Sequence, residues 1–432
     1  MKPPVILIAG GANTRFFPLN TIPHKGALTL CGQPLFLRTL ANLVEHDYHD
    51  IIFVQTPRDA ELRYSQTLIE KSGLPVTVTY VTQAEPKGMG DALLQAEAAN
   101  PNTFTQNESF AVISAYHIQA GLILDKLMFL NHKGALCTAE TDRPSEYGIV
   151  KLNEQSEVID IVEKPAAGTE PSHQKILSMY ILPQKFVSIL KNLETTEYNF
   201  ETALAQIVRE TPLPALALKE SLPSLKFPWD VFAFQQQLLW QLESSIHHTA
   251  KVAQTAVIDE SAGPVFIDEG AEISHAARIV GPAYIGKHVF VGDFCLVRHA
   301  SLEEGVRVGT FSEVARSVML NNSSMHSGFV GDSVIGENVR IGAGITTANK
   351  RLDREAIKVM VKDAVVQTKL RALGGIIGAD AHLGVYVSVM PGVCIGPNAI
   401  IYPNSVVARN VPASTTYKPT LSNESTPHAK VE

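Results

Sequence analysis

The stretch Val5–Lys25, VILIAGGANTRFFPLNTIPHK, decides the fold of the first half of this chain. Its apolar beginning, Val5–Ala9, predicts a short buried strand that stops at the glycine pair Gly10-Gly11. Because glycine has no side chain, the backbone there can turn tightly and approach a ligand closely. Loops of this kind present main-chain N–H groups outward, which is how backbones hold phosphate.

Two cations follow the glycine pair in the same stretch. Arg15 supplies a planar fork of donors and Lys25 a compact point charge, and both are typical partners of phosphate. From spacing alone, a strand, a turn and two surface cations explain the stretch equally well.

Strand-like and helical stretches alternate from residue 5 to about 232, which predicts an α/β domain with a doubly wound, Rossmann-like parallel sheet. Ligands in such folds bind outside the carboxyl ends of the strands, where the glycine pair would lie. The GxGxxG spacing of a dinucleotide site is absent. The strand-like runs are Val5–Ala9, Ile51–Val54, Val76–Val81, Phe110–Ile113 and Ala135–Cys137.

The periodicity changes after a predicted helix from Trp229 to Ile246. Aliphatic residues recur every six positions, and this rhythm predicts a hexapeptide β-helix in which each coil buries its aliphatic residue against the next. The segment Lys350–Gly375 interrupts the rhythm and reads as an excursion from the coils. The recurring residues are Ile267, Ile273, Ile279, Ile285, Val291, Val297, Ile377, Leu383, Val389, Ile395, Ile401 and Val407.

Composition excludes several classes of protein. A net charge of -7 does not favour nucleic-acid binding, which normally requires a basic surplus or stripe. Four scattered cysteines without CxxC pairing suit a reducing cytosol and argue against a zinc site. We see no signal peptide and no apolar run long enough to span a membrane, so we expect a cytoplasmic protein.

The opening stretch resembles the signature of the sugar-1-phosphate nucleotidylyltransferases, or NDP-sugar pyrophosphorylases, roughly GGxGTRLxPLTxxxPKPL. The resemblance implies that Ala9, Gly10 and Gly11 bind the nucleotide and that Arg15 and Lys25 act on its phosphates. The residues in register are Gly10, Gly11, Thr14, Arg15, Pro18, Leu19 and Lys25, whereas Asn13, Asn20 and His24 depart from the pattern.

Two further motifs follow in the order that this family uses. The segment VTQAEPKGMGDAL resembles the base-reading element, which makes Gln83 and Gly88 candidate contacts to the nucleobase. In SEYGIVKLNEQSEVIDIVEKP, resemblance makes Gly148 and Glu163 contacts to the sugar and Lys164 the partner of its phosphate. By themselves, a glycine loop before a helix and a strand ending in Glu-Lys-Pro are common.

The metal site is the largest departure from the family. Members carry an aspartate that holds Mg²⁺ after the strand FAVIS, but Tyr116 occupies that position here. A neutral tyrosine does not supply the carboxylate that Mg²⁺ prefers. Asp230, in LKFPWDVF, matches the second metal ligand by resemblance, although an aspartate before a helix is also a typical N-cap.

The six-residue repeats resemble the left-handed β-helix of bifunctional sugar nucleotidylyltransferase/acetyltransferases. In HSGFVGDSVIGENVRIGAGITTAN, His326 matches the general base that would deprotonate a sugar amine for attack on acetyl-CoA. Arg298 and Asn349 also stand at family positions for the amino-sugar substrate. Three partners of that site differ, namely Ala315, Phe329 and Arg340, where lysine, tyrosine and asparagine are usual.

We therefore expect a nucleotidyltransferase domain over 1–232, a connecting helix over 233–250, a β-helix over 251–411 and a flexible tail over 412–432. The resemblance implies an enzyme that joins an NTP and a sugar 1-phosphate with Mg²⁺, uses acetyl-CoA in the β-helix and forms a homotrimer. The alternative is a sugar-nucleotide-binding protein that has lost catalysis and keeps the β-helix for trimerisation.

Overall fold

The computed structural model describes residues 2–219 and 222–419 of the chain. The chain divides into two compact units, and each is described by itself. The first comprises Met1–Thr14, Ile22–Thr29 and Gln33–Lys226. The second comprises Phe227–Glu432 together with two short N-terminal segments, Arg15–Thr21 and Leu30–Gly32.

Strands and helices alternate before residue 227, as the sequence predicts. The strands are β1 (Val5–Ile8), β2 (Thr29–Leu30), β3 (Gln33–Pro34), β4 (Asp50–Gln55), β5 (Thr77–Thr82), β6 (Ser109–Ser114), β7 (Ala135–Glu140), β8 (Gly148–Leu152), β9 (Glu157–Glu163), β10 (Gln174–Pro183) and β11 (Leu213–Leu218). The helices are α1 (Leu35–Glu45), α2 (Pro57–Leu62), α3 (Tyr64–Ser72), α4 (Met89–Ala99), α5 (Pro101–Gln106), α6 (Ala120–Leu130), α7 (Lys185–Lys191) and α8 (Asn199–Glu210), with 3₁₀ turns at Thr14–Phe16, Lys25–Ala27 and Pro144–Glu146.

The first unit is built on one nine-stranded sheet of order β5-β4-β1-β6-β10-β7-β11-β9-β8. Strands β4, β1 and β6 run parallel, and β5 continues the parallel set beside β4. Their carboxyl ends therefore meet at one edge of the sheet, where the glycine pair follows β1. Apolar clusters cover both faces, one including Ile6 and Val112 and the other Leu7 and Phe53.

The sheet is mixed, whereas the sequence pattern predicted a parallel one. Strand β10 runs antiparallel to both β6 and β7, and β8 pairs with β9 as an antiparallel hairpin. Burial alternates along the first half of β10 and is continuous over residues 179–182, and neither pattern indicates the direction of a strand.

The second unit contains α9 (Val231–Trp240), which follows a 3₁₀ turn at Pro228–Asp230, and a left-handed parallel β-helix. Three parallel sheets form its sides. The first has strands Ser245–Ile246, Val265–Ile267, Ala283–Ile285, Ser301–Leu302, Val318–Met319, Val334–Ile335, Ile376–Ile377 and Cys394–Ile395. The second has Lys251–Val252, Glu272–Ile273, Phe290–Val291, Arg307–Val308, Ser324–Met325, Arg340–Ile341, His382–Leu383, Ile400–Ile401 and Thr416–Tyr417. The third has Val257–Asp259, Arg278–Val280, Leu296–Arg298, Ser312–Ala315, Gly328–Gly331, Ile345–Thr347, Ser388–Val389 and Val406–Val407.

The six-residue rhythm of the sequence corresponds to the core of this β-helix. Every aliphatic residue of the predicted repeat is at most 4% exposed and belongs to one continuous cluster. The excursion is confirmed as a hairpin of Lys358–Val361 against Ala364–Gln367. The predicted fold class, an α/β domain followed by a hexapeptide β-helix, is confirmed.

Two boundaries differ from the sequence prediction. Helix α9 ends at Trp240, not Ile246, because Ser245–Ile246 already pairs with Phe266–Ile267 as the first coil. The predicted tail begins later than residue 412, because Thr416–Tyr417 pairs with Ile400–Ile401. The rest of that predicted tail, 420–432, lies outside the described residues.

Within the second unit, a buried carboxylate connects the N-terminal segment Leu30–Gly32 to the β-helix. Glu303 is fully buried, and its two oxygens accept hydrogen bonds from the backbone N–H groups of Cys31 and Gly32, both at 2.8 Å. The Ser301 hydroxyl also donates to Glu303, at 2.5 Å. These three donors explain how an acidic side chain is accommodated there.

Candidate functional site

The glycine loop after β1 lies against a buried glutamine. A Cβ atom on Gly10 would lie 2.6 Å from Oε1 of Gln83, so only glycine allows this approach. Gln83 follows β5, is 4% exposed, and donates through Nε2 to the Gly88 carbonyl at 3.0 Å and to Asp91 at 2.7 Å. The structure thus brings together Gly10, Gln83 and Gly88, with Gly88 immediately before α4. Ala9 is buried at the end of β1, and Gly11 is exposed beyond it.

The three predicted sugar-side residues also lie together. Gly148 in β8 is the cross-strand partner of Glu163 at the end of β9, and a Cβ on Gly148 would lie 2.9 Å from Glu163 Oε2. Lys164 extends next to them, with Nζ 3.3 Å from Glu163 Oε1 and donating to the Tyr198 hydroxyl at 3.3 Å. Its ammonium also lies 4.6 Å from the centre of the Tyr198 ring, which is cation–π distance.

The turn before α8 touches both groups of residues. The Glu197 carbonyl would lie 2.6 Å from a Cβ on Gly88, so the base-side loop packs directly on this turn. The next residue, Tyr198, contacts Lys164 on the sugar side. One short segment of chain therefore joins the two predicted halves of the site within the first unit.

A second acidic residue, Glu201, lies close to Glu163. Burial, followed by the negative charge of Glu163, raises the pKa of Glu201 to about 7. Its Oε2 atom is buried without a hydrogen-bond partner among the described residues, and so are both amide atoms of Asn199. Buried polar atoms normally have partners, so these atoms mark a place that a ligand can complete.

Lys25 is positioned by a buried polar network. Its ammonium donates to the Leu225 carbonyl at 2.5 Å, and the preceding His24 lies 1% exposed between the rings of Phe36 and Phe53. His24 Nε2 lies 2.9 Å from the Ser65 hydroxyl, which donates to the fully buried Asp59 at 2.7 Å. Burial lowers the pKa of His24 to about 4, even though the charge of Asp59 opposes that shift.

Tyr116 follows β6 where the family has its metal-binding aspartate, and its ring lies 4.9 Å from that of His117. His117 is 4% exposed and its Nε2 lies 3.0 Å from the Ser178 hydroxyl. Burial lowers the pKa of His117 to about 4, so this imidazole is neutral at physiological pH.

Arg15 and Asp230 belong to the second unit. Arg15 is exposed in the 3₁₀ turn Thr14–Phe16. Asp230 accepts a hydrogen bond from the Phe227 backbone N–H at 2.7 Å, which closes the 3₁₀ turn Pro228–Asp230. The predicted N-cap role is therefore right only in part, because the Asp230 side chain does not cap α9. Its carboxylate is a hard oxygen ligand of the kind Mg²⁺ prefers, so the residue fits a metal-binding role. Within the described ranges, no group of three or more His, Cys, Asp or Glu side chains is arranged to hold a metal ion.

Two of the three predicted acetyl-transfer residues lie at the edge of the third β-helix sheet where its strands end. Arg298 is stacked in register above Ala315 and Gly331, and its guanidinium donates twice to Glu313, at 2.9 and 2.7 Å. Asn349 lies at the same end, since a Cβ on Gly331 would be 3.1 Å from its amide nitrogen. Both predicted sugar contacts are therefore engaged with protein groups.

His326 lies at the opposite edge of that sheet, where its strands begin. It precedes strand Gly328–Gly331, whereas Arg298 and Asn349 align with the end of that strand. At about 3.3 Å per residue, the strand alone separates the two positions by roughly 10 Å. The imidazole is exposed, and its backbone N–H donates to the Ile341 carbonyl at 2.9 Å.

Several residues of the site were missed by sequence reasoning. Tyr198 and Glu201 lie near a helix start far from any motif, and no local pattern distinguishes them. His24 was seen only as a departure from a proline, although a histidine inside an otherwise apolar environment was a usable signal.

The four cysteines are free and buried. Among the described helices, none is long and apolar enough to cross a membrane.

Comparison with known proteins defines the class. Residues 4–220 match the family described as nucleotidyl transferase, which covers half of the chain, and the chain belongs to this family. Residues 261–370 match the GMPPB C-terminal domain, and residues 374–409 match the bacterial transferase hexapeptide.

Relatives of similar length share both halves. The chain is 26% identical to the bifunctional protein GlmU of Methanococcus vannielii, covering 94% of this chain and 95% of the relative. It is 27% identical to a bifunctional sugar-1-phosphate nucleotidylyltransferase/acetyltransferase of Sulfurisphaera tokodaii, covering 94% and 97%. A crystal structure of UDP-glucose pyrophosphorylase complexed with UDP-glucose aligns with a TM-score of 0.46 and 21% identity, covering 55% of this chain and all of that one.

Proposed function

We propose that the first unit transfers a nucleotidyl group from an NTP to a sugar 1-phosphate, releasing pyrophosphate and forming an NDP-sugar. The observation that carries this proposal is the turn at residues 197–198, which contacts both Gly88 on the base side and Lys164 on the sugar side. Membership of the nucleotidyl transferase family over residues 4–220 supports the reaction class.

In this reaction an oxygen of the sugar phosphate attacks the α-phosphorus, and the bond from that phosphorus to the bridging oxygen breaks as pyrophosphate leaves. The protein mainly has to position two anions and stabilise their charge. The backbone after β1 holds the triphosphate, and Lys164 holds the attacking phosphate. Glu163, fixed beside Gly148, accepts hydrogen bonds from the sugar hydroxyls. Lys25 and Arg15 remain the predicted partners of the leaving pyrophosphate.

Magnesium stays part of the proposal. When bound, Mg²⁺ neutralises phosphate charge in transfers of this kind. Asp230 is the residue of this chain whose carboxylate chemistry suits the ion, and Tyr116 marks the absence of the usual second carboxylate. We also propose a cytoplasmic location, which is the expectation from the sequence.

The test is pyrophosphate release from panels of NTPs and hexose 1-phosphates with Mg²⁺. We expect turnover with at least one pair, and Glu163→Gln should raise KM for the sugar phosphate while the KM for NTP stays within a factor of about two. Saturable binding of nucleotide and sugar without turnover in any pair would support the alternative, a binding protein that has lost catalysis.

We further propose that the β-helix transfers an acetyl group from acetyl-CoA to an amino sugar, with His326 taking a proton from the attacking amine. The relatives that share the β-helix are named as bifunctional, and His326 is exposed and able to meet a substrate. Arg298 and Asn349 are bonded to protein groups and lie at the far end of the strand. A site that used all three residues would therefore have to extend along one side of a coil.

Assembly as a homotrimer through the β-helix is the companion proposal. The hexapeptide repeats support it, since flat β-helix sides pack readily about a common axis. A solution mass of three chains is the expected result, and a monomer across the working concentration range would rule it out. CoA release with amino-sugar phosphates tests the acetyl transfer independently of pyrophosphate release.

A further inference from the structure

A cavity of about 410 Å³ lies within the second unit, between α9 and the corners of the β-helix coils. One wall is a helical stripe of α9 residues at intervals of three and four. The other wall is formed by residues at successive coil corners. The lining residues are Phe232, Gln235, Gln236, Leu239, Trp240, Pro282, His299, Arg316, Asp332, Leu370 and Ala372. None of the residues predicted for nucleotidyl or acetyl transfer is among them.

The polar wall is held rigidly. Arg316 donates from Nε and Nη2 to the two oxygens of Asp332, both at 2.7 Å, and Asn349 adds a bond to the same carboxylate at 2.5 Å. Asp332 is thus satisfied by three donors. Residues His299, Arg316 and Asp332 all adopt positive φ at their corners, which aligns their side chains on one edge of the coil stack.

Two lining side chains, those of Arg316 and Trp240, offer N–H donors to a ligand. A guanidinium has five N–H groups, and only two of those of Arg316 are engaged by Asp332, the single acceptor that the described residues offer it. The Trp240 indole adds a group that can only donate. Burial is the main cause that lowers the pKa of His299, and the positive charges of Arg298 and Arg316 add to that shift.

The opposite wall is apolar and partly open to solvent. Trp240 is 58% exposed, an unusual position for the largest side chain in the protein, while Leu239 behind it is buried. Phe232 and Leu370 extend this surface. An aromatic side chain with one apolar face and one donor is typical of binding surfaces.

We propose that this cavity binds a small monoanion whose charged group sits at one end of an apolar body. The charged group contacts the outer N–H groups of Arg316, and the body packs on Trp240, Leu239 and Phe232. Planar guanidinium and carboxylate groups match in geometry, so a carboxylate is the favoured charged group. The proposal does not depend on either catalytic function, although Asn349, a predicted acetyl-transfer residue, bonds to Asp332 in the cavity wall.

The two tryptophans make the test direct. Trp229 is 7% exposed and stacks on Phe227 at 4.7 Å, whereas Trp240 lines the cavity. In full-length protein carrying Trp229→Phe, fluorescence therefore reports on Trp240 alone. The probes are 4-phenylbutyrate, its neutral amide 4-phenylbutanamide, and butyrate, which lacks the ring.

We expect a saturable change in Trp240 emission with 4-phenylbutyrate, weaker binding of the amide by about fivefold or more, and weaker binding of butyrate. Gln236→Glu places a negative charge on the exposed lining of the cavity and should weaken 4-phenylbutyrate about fivefold, leaving the amide unchanged. Gln237→Glu adds the same charge next to it on α9, outside the lining, and is the matched control.

Arg316→Lys keeps a cation beside Asp332, so the corner should stay folded while the preference for the anion over the amide falls. Equal affinity for 4-phenylbutyrate and its amide in the parent protein would overturn the proposal. So would equal effects of Gln236→Glu and Gln237→Glu, or no saturable change with any probe up to its solubility.

Discussion

The two units treat buried polar groups differently. In the first unit, Nδ1 of both His24 and His117, Oε2 of Glu201 and both amide atoms of Asn199 are buried without hydrogen-bond partners among the described residues. The β-helix core is a ladder of aliphatic residues. Fewer buried polar atoms lack partners there: among the described residues they are Oδ1 of Asn321 and Oγ of Ser323, whereas the fully buried Glu303 accepts hydrogen bonds from Cys31 and Gly32.

The first unit therefore holds more buried polar atoms without partners than the β-helix unit does, among the described residues. An unpartnered buried polar atom destabilises the folded state by about 1–3 kcal/mol, so a group of them near one site is best explained by a ligand that completes their hydrogen bonds. The β-helix gains stability from repetition, and its chemistry depends on individual side chains outside the core.

His326→Ala is the strongest test of whether the β-helix is only a scaffold. A general base contributes about 10²–10⁴ in rate, so acetyl transfer should fall by that factor while pyrophosphate release stays unchanged. CoA release and pyrophosphate release are measured on the same preparation. His382→Ala, an exposed histidine in the second β-helix sheet, is the control and should behave as wild type. Equal CoA release by wild type and His326→Ala would mean that another group is the base.

Lys164→Ala is the corresponding test of the first unit, with the affected and unaffected reactions exchanged. Removing a positioned cation from a transferring phosphate should lower pyrophosphate release by about 10²–10³, with acetyl transfer unaffected. Lys151→Ala removes an exposed lysine from the same hairpin and should have little effect. If the two variants are equally active, Lys164 does not hold the sugar phosphate.

Acid should destabilise the first unit before the β-helix. His24 and His117 have pKa values lowered by burial to about 4, below the ordinary 6.5, so the unfolded chain binds their protons first. Their stabilising effect is complete above pH 6.5 and is lost as pH falls toward 4, by about 2–3 kcal/mol for each histidine. Hydrogen exchange of first-unit and β-helix amides across this range is the measurement.

His117→Asn keeps a hydrogen-bonding side chain near Ser178 and removes the titration, so its pH profile should be flatter. Uniform loss of protection in both units, in wild type and variant alike, would contradict this prediction.

Ionisation of Glu201 should have the smallest effect on the free energy of unfolding, and its pH dependence should be opposite in sign to that of His24 and His117. Its pKa is raised to about 7, so the stability it allows is present below pH 4.5 and is lost as pH rises through 7. Glu201→Gln should therefore exceed wild type in free energy of unfolding by about 1–2 kcal/mol at pH 8 and match it near pH 4. Urea unfolding at both pH values is sufficient, and a constant difference between the proteins would show that ionisation is not involved.

The sequence predicted most of the structure where the same local packing requirement recurs along the chain. The β-helix rhythm was readable because every coil must bury one aliphatic residue, and Ile285 and Val297 occupy the positions that the period gives them. The motifs around Gly10, Gln83 and Glu163 were readable because each combines a glycine or strand end with a polar side chain.

The remainder depends on contacts between distant parts of the chain. Strand β10 runs antiparallel without any local sign of direction, and Tyr198 and Glu201 reach the site only because α8 packs beside β9. Helix α9 was predicted too long because the short strand Ser245–Ile246 is exposed and does not show the buried repeat.

The bond between Glu303 and the amides of Cys31 and Gly32 bears on how such a protein can be assembled by gene fusion. The β-helix unit is not contiguous in the gene, since it includes Arg15–Thr21 and Leu30–Gly32 as well as everything from Phe227 onward. A fusion joined at residue 227 would remove the backbone donors of Cys31 and Gly32 from a fully buried carboxylate, at a cost of several kcal/mol. Recombination that keeps this β-helix intact must therefore carry the first 32 residues of the chain with it, or replace Glu303 by an uncharged residue.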